Sequence, residues 1–229
     1  MRNPKFLFLL IVVCFAEISS LQAQTAPASN RPRPGAASHG EEASGMVRTR
    51  AGALIVSNVP GKLFTIEIRG KTVAGYDNLE FEVDHRFLKI KTINKNDLLG
   101  GRGGDNVEDS AVLGFQREQY GSSLLMSMKY RPMAGPKYLK LNDGTDALWW
   151  SYYDPSIPED DTSFTIKAYC LSAVKGDWIF LLTVSLTRAH TDTDEDIQQL
   201  LLCSMNSLQL RDKPLSLKSA SQMVLQRKM

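Results

Sequence analysis

Much that would commit this chain to a familiar chemistry is missing from it. It holds only three cysteines in 229 residues, too few for a disulfide-dense scaffold. Its 16 glycines and 10 prolines are too sparse for a collagen-like repeat. Charge of one sign is lacking as well: 27 basic groups face 25 acidic ones, a net +2, which argues against a dedicated nucleic-acid binder. No apolar run approaches the roughly 18 residues of a bilayer-spanning helix. Neither Gly-x-Ser-x-Gly nor His-Glu-x-x-His occurs, so the nucleophile elbow and the helix-borne zinc site have no local signature. What is present is 43% hydrophobic and 23% charged residues, enough apolar surface to offset the entropy of ordering. The composition is that of a folded globular domain.

The first residues carry an address. Arg2 and Lys5 precede an unbroken apolar run, residues 6–16, followed by Ser19, Ser20 and Ala23. A positive start, an apolar core of about 7–15 residues and small residues near a cut describe a secretory signal peptide. Eleven helical residues at about 1.5 Å each reach only half of a roughly 30 Å hydrocarbon core. Residues 1–23 are therefore expected to be removed, with the cut between Ala23 and Gln24, leaving a secreted or periplasmic chain without a membrane span. Cys14 raises lipid attachment as an alternative, but Val13 before it is bulkier than that processing prefers. Residues 24–45 hold no apolar side chain larger than Ala and contain Pro27, Pro32 and Pro34, the composition of a spacer with nothing to bury. One domain over residues 46–210 should follow, then a basic tail over residues 211–229. That tail reads either as a frayed terminus or as a short amphipathic helix at an anionic surface.

Within the domain, strands dominate. Residues 63–69 alternate Phe64, Ile66 and Ile68 with Leu63, Thr65 and Glu67, a period of two. Residues 79–93 alternate too, but the apolar set is odd-numbered before Asp84–His85 and even-numbered after, so a turn or bulge belongs there. Val107, Ala111, Val112 and Phe115 fall at helical spacing, capped by Asp105 or Asp109. Further strands are expected at 124–131, 138–141 and 147–153, with Asn142-Asp143-Gly144 as a hairpin turn. A last hairpin pairs 164–171 with 178–186. Residues 178–182 are apolar on both faces and require cover on both sides. Thr193 and Asp196 then form a capping box for a closing helix with Ile197, Leu200, Leu201 and Leu208 on one face.

The segment DWIFLLTVSL…DTDEDIQQLLLCSMNSLQL, residues 177–210, resembles the end of the PsbP-like α/β/α fold. The resemblance implies an α+β architecture, a mostly antiparallel sheet flanked by helices on both faces. It also implies a non-catalytic binding or assembly role, and it transfers no site residue.

Few candidates carry chemistry. Gly100 to Asp105, with Arg102, Gly103 and Gly104, could cradle a small anion ahead of a helix or serve as a plain connector. Trp149, Trp150, Tyr152 and Tyr153 cluster on one strand. Trp149 and Tyr153 share a face and become a stacking surface if exposed, whereas a sheet covered on both sides makes them core. Cys170 and Cys203 both read as pointing into one sheet–helix layer, either as a disulfide favoured by export or as buried thiols. The acidic run from His190 to Asp196 starts like a calcium loop but has Ile197 where the turn glycine belongs, so a helix N-terminus explains it. No cofactor and no metal is implied. The leading expectation is an exported non-catalytic module binding a protein or small ligand, not nucleic acid. The rival is a secreted hydrolase or carbohydrate-active enzyme using carboxylates such as Asp146 or Asp154.

Overall fold

The computed structural model describes residues 45–75, 77–101, 107–128, 130–158, 165–187 and 190–212. The chain divides into two units, Met1–Gly40 and Glu41–Met229. The first lies outside the described residues, and with it the expected leader. So do residues 41–44, the tail from residue 213, and Arg102, Gly103 and Gly104 of the glycine-rich connector.

The elements run β1 (Gly45–Arg48), β2 (Gly52–Val59), β3 (Lys62–Arg69), β4 (Val73–Gly75), β5 (Glu80–Val83), β6 (Arg86–Asn94), a short α1 (Lys95–Leu98) and α2 (Asp109–Met128). They continue as β7 (Arg131–Lys140), β8 (Asp146–Tyr153), β9 (Thr165–Lys175), β10 (Trp178–Thr187), α3 (Asp194–Ser207) and β11 (Gln209–Arg211). Every pairing is antiparallel, as the α+β reading requires. The strands nevertheless form two sheets where one was expected. β1-β2-β3-β11 make a four-stranded sheet, and β4-β5-β6-β10-β9-β8-β7 a seven-stranded one.

The second sheet escaped the sequence reading because β2, GALIVSNV, does not alternate. Ala53, Ile55 and Val59 join the main core, while Leu54 and Val56 are buried on the other face with Leu63. That main core takes Phe64, Ile66 and Ile68 of β3, one face of the seven-stranded sheet, and Ile197, Leu200, Leu201 and Met205 of α3. Phe64 meets Phe180 edge-on at 5.1 Å across it. The opposite face of the large sheet, with Leu148, Trp150, Cys170, Ile179 and Leu181, packs with Val112 and Leu113 of α2 in a separate cluster. Trp178 to Leu182 are all at most 8% exposed, so both flanks of β10 are covered as its sequence demands.

Turns follow the local chemistry. Asp84 and His85 take φ of 49° and 68°, the two positive values of a type I′ hairpin turn, and Val83 pairs with Arg86 across it. That places the phase slip at β5–β6. Gly144 at φ 83° closes the Asn142-Asp143-Gly144 turn between β7 and β8. Thr193 and Asp196 make both halves of the capping box. Residues 124–131 and 138–141 depart from the two strands expected there: residues 124–128 continue α2 to Met128, and a single strand, β7, runs from Arg131 to Lys140.

Candidate functional site

A group of convergent aromatic side chains, Tyr120, Tyr130, Trp150 and Tyr152, lies where the C-terminal half of α2 crosses β8. Helix α2 presents Val112, Leu113, Gln116 and Tyr120 to the sheet at intervals of three and four, the spacing that keeps one helical face on a partner. Beneath it, the even-numbered residues of β8, Leu148, Trp150 and Tyr152, project toward the helix. Tyr120 and Tyr152 share a hydrogen bond, and Tyr120 also bonds Thr183. The Cys170 thiol lies 3.6 Å from the Thr183 hydroxyl. Burial pushes the Tyr120 hydroxyl up to about 12 and the Cys170 thiol up to about 12, and it drives Tyr152 upward too. All three groups are therefore protonated at neutral pH, and Cys170 is an inert core thiol, not a nucleophile.

Beside this knot opens a cavity of about 330 Å³. Its helix side is Arg117, Glu118, Gly121, Ser122 and Leu124. The opposite wall is Tyr130 and Pro132, which follow the helix, and Trp150 to Tyr152 of β8. Tyr130 stands edge-on to Tyr152 with ring centres 5.0 Å apart, and its hydroxyl donates to the Thr165 carbonyl at 3.3 Å. Gly121 opens the helix side, since a Cβ there would meet none of the described residues within 4 Å. Trp150 is 4% exposed, and its Nε1–H finds no acceptor among the described residues. The nearby Gln116 amide is in the same position at both polar atoms. Aromatic walls with a few polar groups at the rim describe a binding cleft of small-molecule size.

The residues singled out from sequence fall elsewhere. Trp149 is core: it is 7% exposed and stacks on Tyr169 with centres 5.6 Å apart. Tyr153 is 38% exposed at the end of β8, and it does not line the cavity. Trp150 and Tyr152, the other pair on this strand, are the ones that do. Cys170 and Cys203 are free thiols, so the disulfide alternative is corrected. Cys170 faces the α2 layer, while Cys203 sits on α3, whose buried face belongs to the other core, so the sheet lies between them. Asp146 pairs with Lys140 at 2.6 Å, and Asp154 accepts from Ser156 at 2.8 Å. They mark opposite ends of β8, roughly 25 Å apart at the rise of a strand, too far to act together as acid and base. Among the described residues, no group of three or more metal-ligating side chains converges.

Ser172-Ala-Val-Lys175 matches the Ser-x-x-Lys spacing by which some hydrolases pair nucleophile and base on one helical turn. Here it lies on β9, where residues three apart point to opposite faces. Lys175 instead bonds Asp143 and Thr145, and Ser172 is fully buried. The acidic run is likewise structural. Asp192 pairs with Arg86, Asp194 accepts the Tyr169 hydroxyl at 2.6 Å, and Asp196 caps α3. The His190 ring lies 2.6 Å from the His85 carbonyl, tying the β5–β6 turn to the entry of α3.

Among the described residues, no helix is long and apolar enough to cross a membrane. No family model matches the chain, and no curated protein does. Solved structures with a similar arrangement include the cyanobacterial PsbP (CyanoP) of Synechocystis sp. PCC 6803, at 7% identity and TM-score 0.43 over 78% of this chain and 98% of that one. They also include the Ran-binding protein Mog1p of Saccharomyces cerevisiae, at 9% identity and TM-score 0.35 over 74% and 96%. The chain thus resembles PsbP at the level of fold, and at that level only.

Proposed function

We propose that this chain is an exported, non-catalytic binding or assembly module of the cell envelope or extracellular space. In this reading its scaffold is an α/β/α arrangement, with α2 over one face of the large sheet and α3 over the other. Its contact site is the cavity between α2 and β8. The observation that carries the reading is the character of that cavity: three aromatic rings, Tyr130, Trp150 and Tyr152, and, among the described residues, a single carboxylate, Glu118. A lone carboxylate beside an Arg, with every neighbouring thiol and phenol held protonated, supplies walls for a guest but no activated nucleophile or acid–base pair. The signal-like start at Arg2 to Ala23 and the spacer after it support placement outside the cytoplasm.

The test uses the full chain expressed in a bacterium and recovered from the exported fraction. Intact mass is expected to show a chain beginning at Gln24. Native mass spectrometry after exposure to envelope and medium extracts is expected to show a bound species on the wild type that Gly121→Leu, which fills the cavity, does not retain. A chain held in the cytoplasm with residues 1–23 intact, or identical spectra for the two proteins, refutes the proposal.

A further inference from the structure

We infer that the α2–β8 cavity takes a planar aromatic compound bearing a carboxylate, its ring held by Trp150, Tyr130 and Tyr152 and its carboxylate by Arg117. This rests on the reading of that cavity as the contact site and goes on to name the class of guest.

Size limits the guest first. A cavity of about 330 Å³ lies at the lower end of the range for small-molecule sites, so a fused bicycle with a short side chain suits it and an extended polymer does not. Wall chemistry comes next. Half-buried Tyr130 presents a ring that can stack or meet edge-on with another aromatic system. Trp150 and Tyr152, 4% and 7% exposed, back it with the small part of their rings that reaches the cavity, and Leu124 and Pro132 add apolar contact. The glycine at position 121 is the third observation. A glycine inside a twenty-residue helix is unfavourable for the helix itself. Yet here the missing side chain leaves open space beside the cavity it lines, since a Cβ at this position would meet no described residue within 4 Å.

Charge decides the rest. Arg117 and Glu118 both reach the cavity, but they are not equivalent. Arg117 is half-buried, Glu118 is exposed, and Arg117 makes no ion pair among the described residues. An exposed carboxylate is screened by water and salt, whereas a half-buried guanidinium retains a stronger demand for an anion. Its planar fork matches a carboxylate with two parallel hydrogen bonds. Arg117 lies four residues before Gly121, one helical turn away on the same face, so ring and carboxylate can be met by one small molecule.

Three probes share one ring and differ in charge: indole-3-acetate, indole-3-acetamide and tryptamine. Binding to the purified full chain is read by calorimetry and ligand-detected NMR, with melting curves confirming that each variant is folded. Indole-3-acetate is expected to bind with a Kd of about 0.1–1 mM, in keeping with some dozen non-hydrogen atoms. It should bind about fivefold tighter than the acetamide, with tryptamine weakest. Arg117→Gln should erase the gap between acetate and acetamide, and Gly121→Leu should weaken all three probes more than tenfold. Equal binding of the three probes, or preference for tryptamine, overturns the carboxylate assignment, as does an Arg117→Gln variant that keeps the wild-type ranking. Loss with Gly121→Leu in that event leaves the cavity standing as the site. Probes that bind Gly121→Leu as well as wild type overturn the cavity itself, and a wild type that binds none of them overturns the guest class.

Discussion

Gln116 is the side chain whose replacement reports most directly on how α2 is seated. It is 1% exposed, and neither its Nε2 nor its Oε1 has a partner among the described residues. It lies on the inward face of α2, four residues after Val112 and four before Tyr120, in the layer completed by Trp150, Cys170 and Ile179. A buried amide stripped of water and left unpaired costs about 1–3 kcal/mol. Met has nearly the same length and helix preference and a polarisable thioether that adapts to the same space. Gln116→Met should therefore stabilise the domain by about 1–2 kcal/mol. At about 2–4 °C per kcal/mol for a domain of this size, the midpoint should rise by about 2–8 °C. Urea unfolding followed by tryptophan fluorescence reads the free energy, and calorimetry reads the midpoint. An unchanged slope against urea would assign the gain to the native state. A variant less stable than wild type would refute the reasoning, because it would mean that the amide has a partner whose loss outweighs the removal of the polar group.

Other perturbations test the rest of the construction. Arg86 holds the Asp192 carboxyl below the ordinary carboxylate range, in a pair whose side chains are 20% and 16% exposed. A carboxyl lowered in the native state stabilises above its unfolded pKa near 4 and loses that contribution as pH falls through the lower native value. Asp192→Asn should accordingly cost about 1–2 kcal/mol at pH 7, and the deficit should shrink below pH 4 in denaturant titrations at several pH values. An alkylating reagent at pH 8 should label half-buried Cys203 in the native protein and leave Cys170, fully buried with its thiol pushed up to about 12, unlabelled until the chain is unfolded; mass spectrometry of digests separates the two sites. Gly52→Ala should destabilise by roughly 3 kcal/mol or more, since Gly52 sits at φ 149° and a Cβ there would lie 1.9 Å from the Ile68 carbonyl oxygen. A neutral result in thermal melts would mean that β2 and β3 meet differently at that end.

The parts of the fold that were legible are those in which one physical rule acts alone. The period-two alternation of β3, the phase slip at Asp84–His85 and the Thr193–Asp196 box each depend on neighbours in sequence, and each is found where the residues place it. The doubly apolar β10 required cover on both sides and has it. What was illegible depends on partners far along the chain. β2 gives no alternation because both its faces are buried, and a short apolar run of that kind does not announce which sheet it joins. The placement of Cys170 and Cys203 on opposite sides of the large sheet followed from which core α3 enters, a choice that no local spacing encodes.

The misreading of residues 124–128 and the failure to anticipate the cavity have one origin. SSLLMSMKY is rich in residues that suit a strand or a helix, and a strand over residues 124–131 is the expectation it gives. With the helix ended before that strand, Leu124 becomes a strand residue, Tyr130 falls within the same strand, and Arg117 and Glu118 are left on a short helix with nothing opposite them. Once α2 continues through Gly121 to Met128, the glycine is a gap in the helix surface. Arg117, Glu118 and Leu124 then stand on one side of that gap with Trp150 and Tyr152 on the other. Helix continuity and cavity are thus a single proposition. A substitution at residue 121 that strengthens the helix must also narrow the cavity: Gly121→Leu should raise thermal stability, through the better helix propensity of Leu over Gly, in the same protein in which it closes the site. Stability gained without loss of binding would separate the two and leave the cavity without its floor.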